Sequence, residues 1–289
     1  MLYCLIVNYN SYSLISRLIK SISIQEHQCK IIIINNSPVE QNDLKQLESD
    51  SVKVIDAGYN IGFGSACNLG ISEVYNQDNQ ALVWLLNPDT FLSDETLSKV
   101  VSLFPENLEF SILGTLIYSS DQKVWFGGGT FDKKSGSIFS ENLFSLPPHQ
   151  PYISCDWVSG CSMIVNLKQF QECPQFDRNY FLYYEDFDFC QRYKRQGHIV
   201  AVTHQISIVH EVSTITNRNL KNKFYHSTYS YLFTLERYTD KTVFYLRLTR
   251  LLIYALILIP IEPAIALGKI TGAWHYFQKR LSSVTPFID

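Results

Sequence analysis

The amino-acid sequence predicts an α/β fold: a mostly parallel central sheet that turns mixed further along the chain, followed by C-terminal helices. Two observations predict it. Apolar runs rich in β-branched residues alternate with helical patterns through the first hundred residues, which is the order of βαβ units. Runs such as IIII at 31–34 and ALVWLL at 81–86 do not alternate with polar residues, as suits strands covered on both faces. Taken in order, strands are expected at 3–8, 30–35, 52–56 and 81–87, with helices at 11–24, 64–75 and 93–104, each opening near Ser or Gly. From 110 to 170 the pattern shortens into strands and turn-rich loops, including FGGGTFDKKSGS at 126–137 and SLPPHQP at 145–151, where mixed sheet and mobile loops are expected. A strand at 157–166 leads to a helix at about 185–196 with Gly197 as its C-cap. A strand around 199–203 then precedes His210, and a long helical pattern runs to about 238.

Composition narrows the function. The chain has 289 residues, 46% hydrophobic and 18% charged, with net charge −3. That is large and apolar enough for a substantial core, and it excludes a disordered chain or a small disulfide-stapled domain. A mildly acidic total also argues against a nucleic-acid binder. The total is uneven: residues 1–242 carry −6 and residues 243–289 carry +3, so a basic, apolar tail follows an acidic body. Seven cysteines without a C-x-x-C pair speak against a zinc site or a disulfide framework. The N-terminus enters a strand with no basic leader, so a cytoplasmic protein is expected.

Three strands end in Asn8, Asn35 and Asn87, and Pro88 and Asp89 follow the last of them. Ligands of open parallel sheets sit at the carboxyl ends of strands, so this polar row lies where a nucleotide would bind. Taken singly, each Asn could simply start a turn. Asp89 could offer a hard oxygen to a divalent ion bridging phosphates. Gly58, Gly62 and Gly64 precede a helix and would admit a diphosphate, although a plain loop explains them as well. The densest acidic cluster is Glu185, Asp186 and Asp188. It reads either as a helix-dipole feature with an Asp188–Arg192 surface pair, or as holding a general base whose proton affinity Phe and Tyr neighbours raise. His210 reads by default as an ordinary core or surface histidine.

In order along residues 3–215, LIVNYNS, INNS, NIGFGSACNLGI, LLNPDT, WVSGCSMIV, FDRNYFLYYEDFDFCQR and VHEVS together resemble glycosyltransferase family 2, specifically its rhamnosyltransferase-like branch. The resemblance implies a GT-A fold, with a nucleotide-sugar half at about 1–110 and an acceptor half at 111–215, inside a catalytic domain ending near 240. It implies Asp186 as catalytic base with Glu185 beside it, and Asp89 and His210 as holders of Mg²⁺ or Mn²⁺ against the donor diphosphate. Asn8, Asn10, Asn35 and Asn60 would contact the donor, as would Gly62, Asn68 and Asn87. Trp157, Gly160 and Tyr184 would meet the acceptor. The implied reaction is inverting transfer of L-rhamnose from dTDP-rhamnose to a saccharide, lipid-linked, in bacterial O-antigen or capsule-type biosynthesis, with a UDP-hexose or galactofuranose donor as the alternative. The chain departs from the family pattern at Asn35-Asn36, where an amide replaces a carboxylate, and at Asn87, which leaves fewer anionic metal ligands.

The tail, 241–289, contains an 18-residue apolar stretch at 251–268 that Pro260 and Pro263 would break, so an interfacial helix is expected rather than a membrane span. Arg247, Arg250, Lys269, Lys279 and Arg280 would then face anionic headgroups on the inner surface of the cytoplasmic membrane. Packing on the chain's own domain, or in a homodimer, remains open. Two rival classes fit less well. A nucleotidyltransferase would carry a basic Gly-rich loop after the first strand, and a non-catalytic carbohydrate-binding module would not need Asp89, Asp186 and His210 together.

Overall fold

Apolar runs at the start of the chain form the strands they predict, and each is interrupted by a helix that covers the sheet. The computed structural model describes residues 1–23, 29–93, 95–102, 109–144, 151–211 and 219–284. Its elements are β1 (Leu2–Asn8), α1 (Tyr12–Ser23), β2 (Cys29–Asn35), α2 (Gln41–Lys45), β3 (Val52–Asp56), α3 (Phe63–Gln77), β4 (Leu82–Leu86), β5 (Thr90–Phe91) and α4 (Thr96–Ser102). They continue through β6 (Ile112–Ser119), β7 (Val124–Phe126), β8 (Gly129–Asp132), β9 (Ser137–Ser140), β10 (Ile153–Ser154), β11 (Ser162–Asn166), α5 (Glu185–Arg195) and β12 (Val200–His210). Three helices close the chain: α6 (Leu220–Tyr238), α7 (Lys241–Leu258) and α8 (Pro263–Val284).

The main sheet runs β10-β12-β6-β11-β4-β1-β2-β3, with β5 on β12 and β7 on β6. β1 pairs in parallel with both β2 and β4, and β2 with β3, while β11 enters antiparallel between β4 and β6. This is the mixed sheet the later segment predicts. Burial explains the non-alternating runs: all seven residues of β1 are buried, and Ile31 to Ile34 are buried in β2. Trp84, fully buried in β4, satisfies its indole N–H on Ser162 Oγ at 3.0 Å, which also accepts from Thr115.

Several boundaries shift. The strand expected at 157–166 starts only at Ser162, because 159–161 turn, with Ser162 N–H bonded to the Ser159 carbonyl at 3.2 Å. β12 runs on to His210 through an irregularity between Thr203 and Ser207, so His210 ends a strand instead of following one. The helical pattern at 93–104 yields α4 at Thr96–Ser102, and most of SLPPHQP lies outside the described residues.

The chain divides into two compact units, one of Met1–Thr130, Phe139–Asn179 and Glu185–Ile215, the other of Phe131–Ile138, Tyr180–Tyr184 and Thr216–Asp289. This differs from a boundary at 240, because α6 packs along α8. Gly268 and Gly272 permit that approach: a Cβ there would stand 2.5 Å from the Lys221 carbonyl and 2.4 Å from that of Tyr225. The second unit has its own apolar cluster, including Leu232, Leu235, Phe244, Leu248 and Tyr276. Within it, Arg247 of α7 donates to the Ser135 carbonyl at 2.7 Å and to the Ser137 hydroxyl. The apolar stretch at 251–268 is two helices broken at 259–262, and no described helix is long and apolar enough to cross a membrane.

Candidate active site

The carboxyl edge of the sheet collects the polar side chains. β4 ends at Leu86, and the Asn87 N–H bonds to the Cys161 carbonyl at 3.0 Å, joining this edge to the turn before β11. Asn87 and Pro88 then turn the chain, and the Asn87 carbonyl accepts from the Thr90 N–H and hydroxyl. β5 places Thr90 opposite His210 of β12. That register brings Asp89 Oδ1 to 3.1 Å from His210 Nε2, with both residues buried. Burial works against a charged imidazole. The neighbouring Cys161 and Asp89 outweigh it and push His210 up to about 10. Trp125 lies edge-on to the imidazole, with ring centroids 5.0 Å apart.

Asp186 is set by the same turn. Its Oδ2 accepts the Gly160 N–H at 2.9 Å and its Oδ1 the Phe187 N–H at 2.8 Å, at the first turn of α5. Loss of surrounding water pushes its carboxyl up despite these bonds. Glu185 beside it is buried, with Oε2 lacking a hydrogen-bond partner, and burial with the adjacent Asp186 charge pushes it up to about 8. Burial pushes both carboxyls toward their protonated forms, and Glu185, at about 8, keeps its proton at neutral pH. The preceding Tyr183 and Tyr184 adopt φ of 70° and 64°, a left-handed conformation that costs non-glycine residues energy and persists where surroundings enforce it.

Because Glu185 is more basic in the folded chain than its ordinary value of 4.5, its contribution to stability is complete below about pH 4.5 and is lost as pH rises to about 8. Glu185→Gln is expected to remove that slope and to raise the melting temperature at pH 8 relative to pH 5. Denaturant titrations of both proteins across this range check it, and parallel pH profiles would contradict it.

The asparagines divide into braces and open positions. Asn8 is filled from within: Nδ2 donates to Asn35 Oδ1 at 3.1 Å and Glu40 Oε2 at 2.8 Å, while Oδ1 accepts from the Ser11 N–H and hydroxyl. Asn68 likewise brackets Phe176, donating to its carbonyl and accepting its N–H. Both are framework. Asn35 also reaches Asp56 at 3.3 Å, so a carboxylate stands beside the amide that replaces one in the sequence. Asn10, in the left-handed region with φ 51°, accepts from Ser37. Asn60 accepts from Asn36 and Gly62, and Gly62 opens α3 with φ 86°. Among the described residues, the Asn87 side-chain amide bonds to none.

Of the residues expected at an acceptor, Gly160 positions Asp186, and the Trp157 indole is held by the Phe139 carbonyl at 3.1 Å. Tyr184 belongs to the other unit, against Tyr231. Asp188 and Arg192 do pair, at 2.7 Å, but Asp188 is fully buried, so this is an internal brace, not a surface pair. Sequence reasoning missed Glu40, whose carboxylate takes the Ser11 and Tyr12 N–H groups at the start of α1. It also missed Trp125 and Cys161. Only the proximity of S-P-V-E to the end of β2 pointed toward Glu40.

Residues 3–165 match the family model described as Glycosyl transferase family 2. The chain belongs to that family. Low-salt glycan biosynthesis hexosyltransferase Agl10 of Haloferax volcanii is 25% identical over 210 residues, 71% of this chain and 66% of that relative. Rhamnosyltransferase WbbL of Escherichia coli (strain K12) is 25% identical over 252 residues, 80% of this chain and 92% of that relative. This glycosyltransferase therefore spans about two thirds of the first relative and most of the second, and it resembles the rhamnosyltransferase-like branch. A crystal structure of GalNAc-T7 with UDP, GalNAc and Mn²⁺ superposes with TM-score 0.61 at 14% identity, covering 82% of this chain and 47% of that one. That likeness shows the GT-A fold.

Proposed function

We propose that this family 2 glycosyltransferase moves L-rhamnose from dTDP-rhamnose to a hydroxyl of a lipid-linked saccharide, with inversion, at the inner face of the cytoplasmic membrane, in surface-polysaccharide biosynthesis. The observation that carries the reading is Asp186. Two main-chain N–H groups fix its carboxylate, and the loop that supplies one of them is bonded to the strand end leading to the Asp89–His210 pair.

Inverting transfer needs a base on one side of the anomeric carbon and charge stabilisation on the other. The acceptor oxygen forms the new bond to that carbon as its proton passes to Asp186. The bond to the diphosphate oxygen breaks, and the nucleoside diphosphate leaves with the electron pair. Glu185, protonated, keeps the acidic cluster from carrying two adjacent charges.

The donor set suits a hard divalent ion that takes most of its ligands from phosphate: one buried carboxylate and one imidazole. Asp89 and His210 would hold Mg²⁺ or Mn²⁺, which when bound supplies positive charge against the leaving diphosphate. Where His210 keeps its proton, it would meet the diphosphate directly instead of the metal.

A thermal-shift series with dTDP-, UDP- and GDP-sugars in Mn²⁺ tests the donor. Greatest stabilisation by dTDP-rhamnose is expected. A larger shift with a UDP-hexose would move the assignment to that donor, and no shift with any of them would contradict the reading.

A further inference from the structure

Within the helical unit, α6, α7 and α8 line an open groove of about 730 Å³ that the proposed chemistry does not use. Its cationic lining is Arg247, Arg250 and Lys269, and no carboxylate lines it. Arg247 is engaged by Ser135 and Ser137, but Arg250 is exposed, and neither it nor Lys269 has an acidic partner among the described residues. Lys269 is half-buried, its ammonium 4.9 Å from the Phe224 ring centroid and 5.5 Å from that of Tyr254. A partly desolvated cation without a counter-charge is a standing cost that an anion would relieve.

Much of the rest of the wall is apolar and exposed, beside Ser227, Thr228 and Thr249. Leu246, Ile253 and Ile257 follow one face of α7 with Arg250 at spacings of four, three and four, and each of these three is more than half exposed. From Arg250 to Ile257 the track is about 10 Å long at the helical rise. A pair of cations from which an unpartnered apolar track, Ile253 and Ile257, runs toward the end of α7 matches one kind of molecule.

We infer that this groove binds the phosphate of a single lipid molecule on Arg250 and Lys269, with its hydrocarbon chain along Ile253 and Ile257 of α7. The charge pattern favours this occupant over a second copy of the chain, because a homodimer contact over this face would bury these cations where no carboxylate lines the groove to pair with them. The inference rests on the membrane-facing, lipid-linked part of the proposed function and gives that part a location.

Flotation of the full chain with phosphatidylglycerol or phosphatidylcholine vesicles tests it. Binding to phosphatidylglycerol is expected to exceed that to phosphatidylcholine, and Arg250→Glu with Lys269→Glu to weaken it by about tenfold or more. Arg250→Glu alone, at an exposed position, is expected to produce part of the loss and guards against a folding artefact. Inorganic phosphate is not expected to release the protein, because it lacks the chain. Equal flotation with both lipids, flotation unchanged by the substitutions, or full release by inorganic phosphate would overturn the assignment. So would an absence of flotation accompanied by a dimer that Ile257→Glu dissociates. Sugar transfer to a water-soluble acceptor, measured alongside, separates the two readings: transfer without lipid binding defeats only this inference, and lipid binding without transfer defeats only the catalytic one.

Discussion

Asp186→Asn is expected to reduce sugar transfer by about 10² to 10⁴, the range for losing a general base, while donor affinity stays near that of the wild type. The substitution keeps the side chain's shape and removes its ability to take a proton. It also replaces one acceptor oxygen with an amide nitrogen, so either the Gly160 or the Phe187 N–H loses its partner. That costs about 1–3 kcal/mol locally. A melting measurement therefore accompanies the kinetics. Folded protein with intact donor binding and lost turnover is the expected combination, and turnover near wild type would remove Asp186 from its role.

Asp89→Ala is expected to abolish the enhancement of donor binding by Mn²⁺, because a hard cation at this edge would lose its one carboxylate and be left with the imidazole of the pair. Calorimetry of donor binding with and without Mn²⁺ reads this directly. Removing Asp89 also leaves His210 buried without its partner, which can destabilise the fold. Asp89→Asn separates the effects: the amide oxygen can still bond to His210, but the charge is gone. Stable protein without metal-dependent donor binding is expected for Asn. Unchanged metal dependence in both variants would contradict the assignment.

These predictions rest on residues whose chemistry was legible in different degrees. β1 to β4 were readable to within a residue or two, because strands buried on both faces leave unbroken apolar runs. β5 has only two residues, too few for any periodicity, yet its register with β12 is what joins Asp89 to His210. The polar His204-Gln205 step ends the apolar pattern of β12 early and hides the strand's extension to His210. Asp188 and Arg192 were adjacent by helical spacing, but spacing does not reveal which face turns inward. Asn8 and Asn68 occupied the positions expected of ligand contacts and proved to be internal braces, since partners 27 to 108 residues away have no local signature. Glu40 escaped notice for the same reason.

The most direct test of the central claim is the rate of nucleoside diphosphate release from dTDP-rhamnose, with saccharide acceptor and Mn²⁺, for wild type and Asp186→Asn at saturating donor. Steady release by wild type, falling about 10²-fold or more in the variant, is the predicted result. Equal release by both proteins would contradict it.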